Sequence, residues 1–291
     1  MNDNCNEAIL PLETTVHAAG KRNWTMTLAL SILAVLALAI IAAPVLAPFD
    51  PDAVDIASRL LPPSQNHLLG TDHLGRDVLS RLIHGARVSL GAVALISLLV
   101  LVLGVAIGGL SGFIGGKVDQ ITMRICDVFL TFPTFVLAMF MVGVLGTGMT
   151  NVVIAIVLSH WAWYARIVRS LTLSMASRDF VLAARVAGAG EFRIFGEHVL
   201  PGVIAQILVL TTLDIGHMML HVSGLSFLGL GISPPTAEWG VMINDAREFV
   251  WTQPTLIAWP GLAIFLTVMA FNRVGDALRD RLDPVLAAEV C

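Results

Sequence analysis

The sequence predicts an all-α protein embedded in a membrane by six helices. Hydrophobic residues make up 56% of the 291-residue chain and charged residues only 13%, about half the share found in ordinary soluble domains. The charged residues are also arranged to leave long apolar runs, and a helix needs about 20 residues to cross a bilayer. Lipid offers the backbone no hydrogen-bond partner, so runs that cross it must be helices.

The first run covers residues 24–47. It exceeds the roughly 7–15 apolar residues of a cleaved signal peptide, and Asp3, Glu7 and Glu13 precede it. Residues 1–23 therefore read as a polar tail before the first span. The second run, 88–116, lies between Arg87 and Lys117. The third, 128–165, is too long for one span. It contains the turn-forming stretch Gly146-Thr147-Gly148-Met149-Thr150-Asn151, which makes it a hairpin of spans three and four. The fifth span covers about 202–222, interrupted by Asp214 and two histidines, and the sixth about 255–272.

Lys and Arg set the orientation. With the N-terminus inside, twelve of the 17 basic residues fall on inner segments and five on outer ones (Arg59, Arg76, Arg81, Arg87 and Arg247). Both termini are then cytoplasmic. Residues 24–291 read as one domain. The net charge of −4 is spread out, with no basic patch for nucleic acid. Cys5, Cys126 and Cys291 lie far apart and form neither a disulfide framework nor a thiolate metal site.

The inner segment 166–201 is unusually long. Within it, residues 178–187 form a short amphipathic helix with an Ala-rich face, stopped by Gly188 and Gly190. Such a helix could dock in a groove of a partner or lie on the lipid headgroups. Ala183-Ala184, then Gly188, then Leu200-Pro201 resemble the EAA loop of ABC-importer permeases, though Leu182 stands where that motif has Glu. The resemblance implies docking on an ATPase subunit through Asp179, Ala183, Ala184, Gly188 and Pro201.

Two outer motifs narrow the resemblance. Leu69-Gly70-Thr71-Asp72-His73-Leu74-Gly75-Arg76-Asp77 and Leu225-Ser226-Phe227-Leu228-Gly229-Leu230-Gly231, with Glu238-Trp239-Gly240, are similar to the "C" permeases for peptides and nickel. This implies a second homologous permease, two cytoplasmic ATPases and an outer substrate-binding protein in an inner (plasma) membrane. It also implies ATP use by the partners and no cofactor bound by this chain.

The fifth span carries Asp214, His217 and His221 at i, i+3 and i+7, on one helix face beside Met218 and Met219. Ionisable groups within a membrane mark pathways, and these donors suit a transition metal. Helix–helix hydrogen bonding uses the same residue types. The segment resembles nickel permeases more than peptide permeases, so Ni²⁺, bare or chelated, is the expected cargo, with a dipeptide or oligopeptide as the alternative. His160, Trp161, Trp163 and Tyr164 read as an aromatic belt at the inner end of span four. Gly109-Leu110-Ser111-Gly112 fits the G-x-S-G pattern of intramembrane serine proteases, a distant alternative. Gly116-Lys117 does not complete a phosphate-binding loop, because Ser111 replaces its first Gly and Val118 its Ser or Thr.

Overall fold

The computed structural model describes residues 24–282. The 1–23 tail, Cys5 and Cys291 lie outside the described residues. Helix α1 (Trp24–Leu46) and a long connection lead to α2 (Val78–Ile114). Helices α3 (Gly116–Leu130) and α4 (Thr134–Leu145) form a pair bent by 84°. They are followed by α5 (Met149–Ala176), the short α6 (Asp179–Val186) and α7 (Glu191–Phe227). The short α8 (Trp239–Ala246) and then α9 (Thr255–Leu282) complete the described chain. No strand occurs among the described residues. Five single helices are long and apolar enough to cross a membrane, and the bent pair taken as one span makes six.

Several spans are longer than the charge-free runs that announced them. Helix α2 begins at Val78 rather than at 88, because the Asp77 side chain caps it by accepting from the Ser80 N–H at 2.8 Å. It then carries Arg81 and Arg87 along its first turns. Helix α5 continues past 165 to Ala176, and its Arg166 and Arg169 pair with Asp127 and Asp119 of α3. The inner segment 166–201 is thus mostly the ends of α5 and α7, with 177–190 between them.

Span three is not the straight hairpin arm expected from 128 onward. Pro133 has no N–H to donate, and its ring keeps Phe132 from helical geometry, so the chain breaks between α3 and α4.

Helices α2, α5, α7 and α9 make the core, with α1 against α2 and α9, and α4 against α5. Helix α1 buries only Ala29 and Ala43. It is apolar all round, as a helix facing lipid is. Small residues bring α2 and α5 together: a Cβ on Gly108 would run into the Ala165 backbone.

One end of the bundle is capped by 47–77 and 228–254. Arg76 and Arg81 are each 1% exposed there. Arg76 donates to Asp72 at 2.6 Å and to Asp245 at 3.0 Å. Arg81 donates to the carbonyls of Pro51 and Pro235 at 3.0 and 3.2 Å. Four carboxylate and carbonyl partners from both connections thus converge on two adjacent guanidinium groups, a task suited to their fixed fork geometry.

The cap is also pinned by Glu238, which is fully buried and accepts from Ser89 Oγ and the Val241 N–H, both at 2.9 Å. Next to it, Trp239 donates from its indole to the Leu82 carbonyl at 3.0 Å. Burial pushes the Glu238 carboxyl above its usual range despite these donors. The native state then holds a proton that the unfolded chain releases. The contribution of Glu238 to stability should therefore be greatest below about pH 4.3, the ordinary Glu value, and fall as pH rises toward the elevated native one. Glu238→Gln should flatten that fall, read as thermal-unfolding midpoints of the purified protein between about pH 4 and 8. An undiminished slope in the variant would contradict this account of Glu238.

Candidate functional site

Two regions hold the residues singled out by the sequence. The first is α6 and its flanks, at the end of the bundle opposite the cap. Asp179 lies in its first turn and Arg185 in its last, both favourable with the helix dipole. The helix ends in a Schellman arrangement: Gly188 donates to Arg185 at 3.1 Å and Ala189 to Ala184 at 3.1 Å. Gly188 takes φ +83°, which a residue with a Cβ adopts only with strain.

Asp179 and Ala183 are exposed and Ala184 is half-buried. Val181 and Ile194 are fully buried and anchor the loop, whereas Val186 and Phe192 are each 90% exposed and Phe180 and Leu182 about half. The result is a loop anchored by two buried side chains and carrying an apolar outer face. Arg185 forms a two-pronged ion pair with Glu191 at 2.9 and 3.0 Å, tying the end of α6 to the start of α7. Glu191 thereby holds the Arg185 guanidinium even more firmly protonated. Pro201, which lacks an N–H, lies two residues beyond the π-helical turn Phe195–Val199 in α7.

The second region lies at mid-depth, where α5 meets α7. His160 is about 16 Å from the first residue of α5 and about 24 Å from the last, at about 1.5 Å per residue. Asp214 on α7 is 6% exposed. Its Oδ2 lies 3.1 Å from His160 Nε2 and accepts from the Tyr164 hydroxyl at 3.1 Å. Its Oδ1 lies 3.3 Å from Nδ1 of His217, whose side chain is 74% exposed. His221 stacks on Phe135 of α4, with ring centroids 5.8 Å apart, and meets the His160 ring edge-on at 6.2 Å. Met218 and Met219 are buried in the core, and the Met219 sulfur lies 3.8 Å from the Ser223 hydroxyl.

The structure thus keeps Asp214, His217 and His221 on one side of α7 but does not converge them on one point. Among the described residues, no group of three or more His, Cys, Asp or Glu is placed so that it could hold a metal ion. The aromatic-belt expectation for His160 and Tyr164 is overturned. With α5 running to Ala176, both lie in its interior, 7% and 1% exposed, and both bond Asp214. Their spacing of four, which puts them on one helix face, was the available signal. The partner carboxylate, 54 residues on in the sequence, was not.

Ser111 is buried, and its hydroxyl donates within its own helix to the Gly108 carbonyl at 3.3 Å. That is a structural use of the serine.

Comparison with known proteins agrees with this architecture. Residues 21–63 match the N-terminal TM domain of oligopeptide transport permease C. The chain is 63% identical over 266 residues to the nickel transport system permease protein NikC of Escherichia coli K12, covering 91% of this chain and 96% of that one. It is 44% identical to the glutathione transport system permease protein GsiD of Pectobacterium atrosepticum, covering 77% and 74% of the two chains. It is 39% identical to the metal-staphylopine import system permease protein CntC of Staphylococcus aureus, covering 86% of each. Residues 104–287 match the binding-protein-dependent transport system inner membrane component, and the chain belongs to that family of multi-pass membrane permeases.

Proposed function

We propose that this chain forms half of the translocation pathway of an ATP-driven importer for nickel ions, bare or chelated. The observation that carries this reading is the 63% identity to a nickel permease along 91% of the chain. The mid-depth cluster of His160, Asp214, His217 and His221 supports it, since ionisable groups are costly within a membrane and accompany pathways. The family works with ATPase and substrate-binding partners. In this reading a second homologous permease supplies the other half of the pathway, and two ATPase subunits bind the loops that include α6. A periplasmic or extracellular binding protein delivers cargo to the capped end. The chain itself makes and breaks no covalent bond. ATP binding favours one of two pathway states through differential affinity, and hydrolysis releases it.

In this reading the capped end faces outward and both termini are cytoplasmic, which the excess of Lys and Arg on the other side supports. Reporter fusions after Gly148 and Gly231 should then read outside, and fusions after Lys117 and Arg185 inside. Reversal at two of these sites would overturn the orientation.

The apolar outer face of α6 is the ATPase contact, and the Gly188 turn fixes its angle. Gly188→Val forces a left-handed backbone on a β-branched residue, at a cost of about 1–2 kcal/mol. The variant should insert and assemble, yet hydrolyse ATP with nickel uptake lowered roughly tenfold, a loss of that size in rate. Uptake per ATP equal to wild type would remove the turn from coupling.

Cargo is tested by uptake into proteoliposomes holding the full complex and supplied with its binding protein. Ni²⁺ should enter in preference to a dipeptide. Dipeptide uptake without Ni²⁺ uptake would favour the peptide reading instead.

A further inference from the structure

We propose that His160 Nδ1 and His221 Nδ1 form a transit site at mid-depth, where a divalent transition-metal ion is ligated directly by two imidazoles. Asp214 and Tyr164 act there as positioning residues. The inference rests on the nickel reading and specifies the groups that touch the ion.

Both Nδ1 atoms are buried and neither has a hydrogen-bond partner. His160 is 7% exposed and its other nitrogen faces Asp214 at 3.1 Å. A neutral imidazole carries one N–H and one lone pair. With the proton on Nε2 and donated to Asp214, the lone pair of His160 sits on the unpartnered Nδ1. A carboxylate behind a histidine is the usual way to fix the ring of a metal ligand and raise its basicity. His221 is held differently, by its stack on Phe135 with planes 17° apart. Its ring meets that of His160 at 6.2 Å and 63°.

The carboxylate is the element that differs most from the sequence expectation. Asp214 already faces His160, Tyr164 and His217. It therefore orients donors and is not itself a ligand. Two imidazoles leave most of an ion's coordination to water, to a chelator or to the partner permease. No group of three or more ligand-type residues converges among the described residues. An incomplete site suits conduction, where an ion must be held firmly enough to enter and loosely enough to leave. Imidazole selects Ni²⁺ and its transition-metal neighbours over Mg²⁺ and Ca²⁺, which prefer oxygen. His217, exposed and beside Asp214, stands at the approach.

The test uses the assembled complex in lipid nanodiscs without binding protein, and Ni²⁺ alone as the probe. Nickel-edge X-ray absorption should show imidazole scattering in wild type and lose part of it in His160→Ala and in His221→Ala. Nickel uptake into proteoliposomes should fall at least about tenfold in each, and about tenfold in Asp214→Asn, the low end for loss of a supporting carboxylate. His160→Gln keeps an N–H for Asp214 while removing the ring nitrogen. It should assemble like wild type and still lose uptake and imidazole scattering. Wild-type uptake and scattering in His160→Gln would overturn the transit site while leaving the nickel reading intact. Recovery of both assembly and uptake in His160→Gln after their joint loss in His160→Ala would assign the ring to helix packing, and also overturns it. Failure of the wild-type complex to take up Ni²⁺ at all would overturn the nickel reading and the site together.

Discussion

A carboxylate at mid-depth in a bilayer has no water to solvate it, so the protein must supply every partner it has. Asp214 meets this constraint with His160 and Tyr164 from α5 and His217 from its own helix. These bonds set the rotation of α5 against α7, because His160 and Tyr164 lie one turn apart on the face of α5 that meets α7. The bond from His160 Nε2 leaves the His160 Nδ1 buried without a hydrogen-bond partner, and the Nδ1 of His221 is likewise buried and unpartnered. The interaction that fixes the helix pair thus also sets the polar cluster at mid-depth.

The same rule operates at the cap. Arg76 and Arg81 are almost wholly buried, and carboxylates and carbonyls from two distant connections close around them. Glu238 is buried beside Ser89 of α2 and the first turn of α8. Removing one member of such a group leaves the others unpaired, so each is worth more than its own bonds. The opposite end is held more lightly. Arg185 and Glu191 are both largely exposed, and exposed pairs add geometry more than stability. The two ends of the bundle thus differ in how their charges are held, buried at the cap and exposed beside α6.

Much of this was legible in the sequence because lipid imposes a simple rule. Long charge-free runs had to be helices, and Gly188 had to end α6, since only Gly takes its left-handed backbone without strain. The rule failed where charge was satisfied internally. Arg166 ends a charge-free run, yet α5 continues past it because Asp127 and Asp119 of α3 pair with Arg166 and Arg169. The break at Pro133 was hidden inside an apolar run that hydropathy could not divide. His160 was misplaced for the same reason as its helix boundary. The spacing of Asp214, His217 and His221 placed them on one side of α7, yet the histidine that faces Asp214 from the neighbouring helix could be found only in three dimensions.

The claim on which this account depends is that Asp214 acts on the cargo through His160. A double-mutant cycle measures this directly, using nickel uptake per assembled complex for His160→Ala, Asp214→Asn and the pair. If the carboxylate only positions the ring, the double variant transports as poorly as His160→Ala alone and no worse. Losses that multiply in the double variant would show Asp214 acting independently of His160, and would contradict the account.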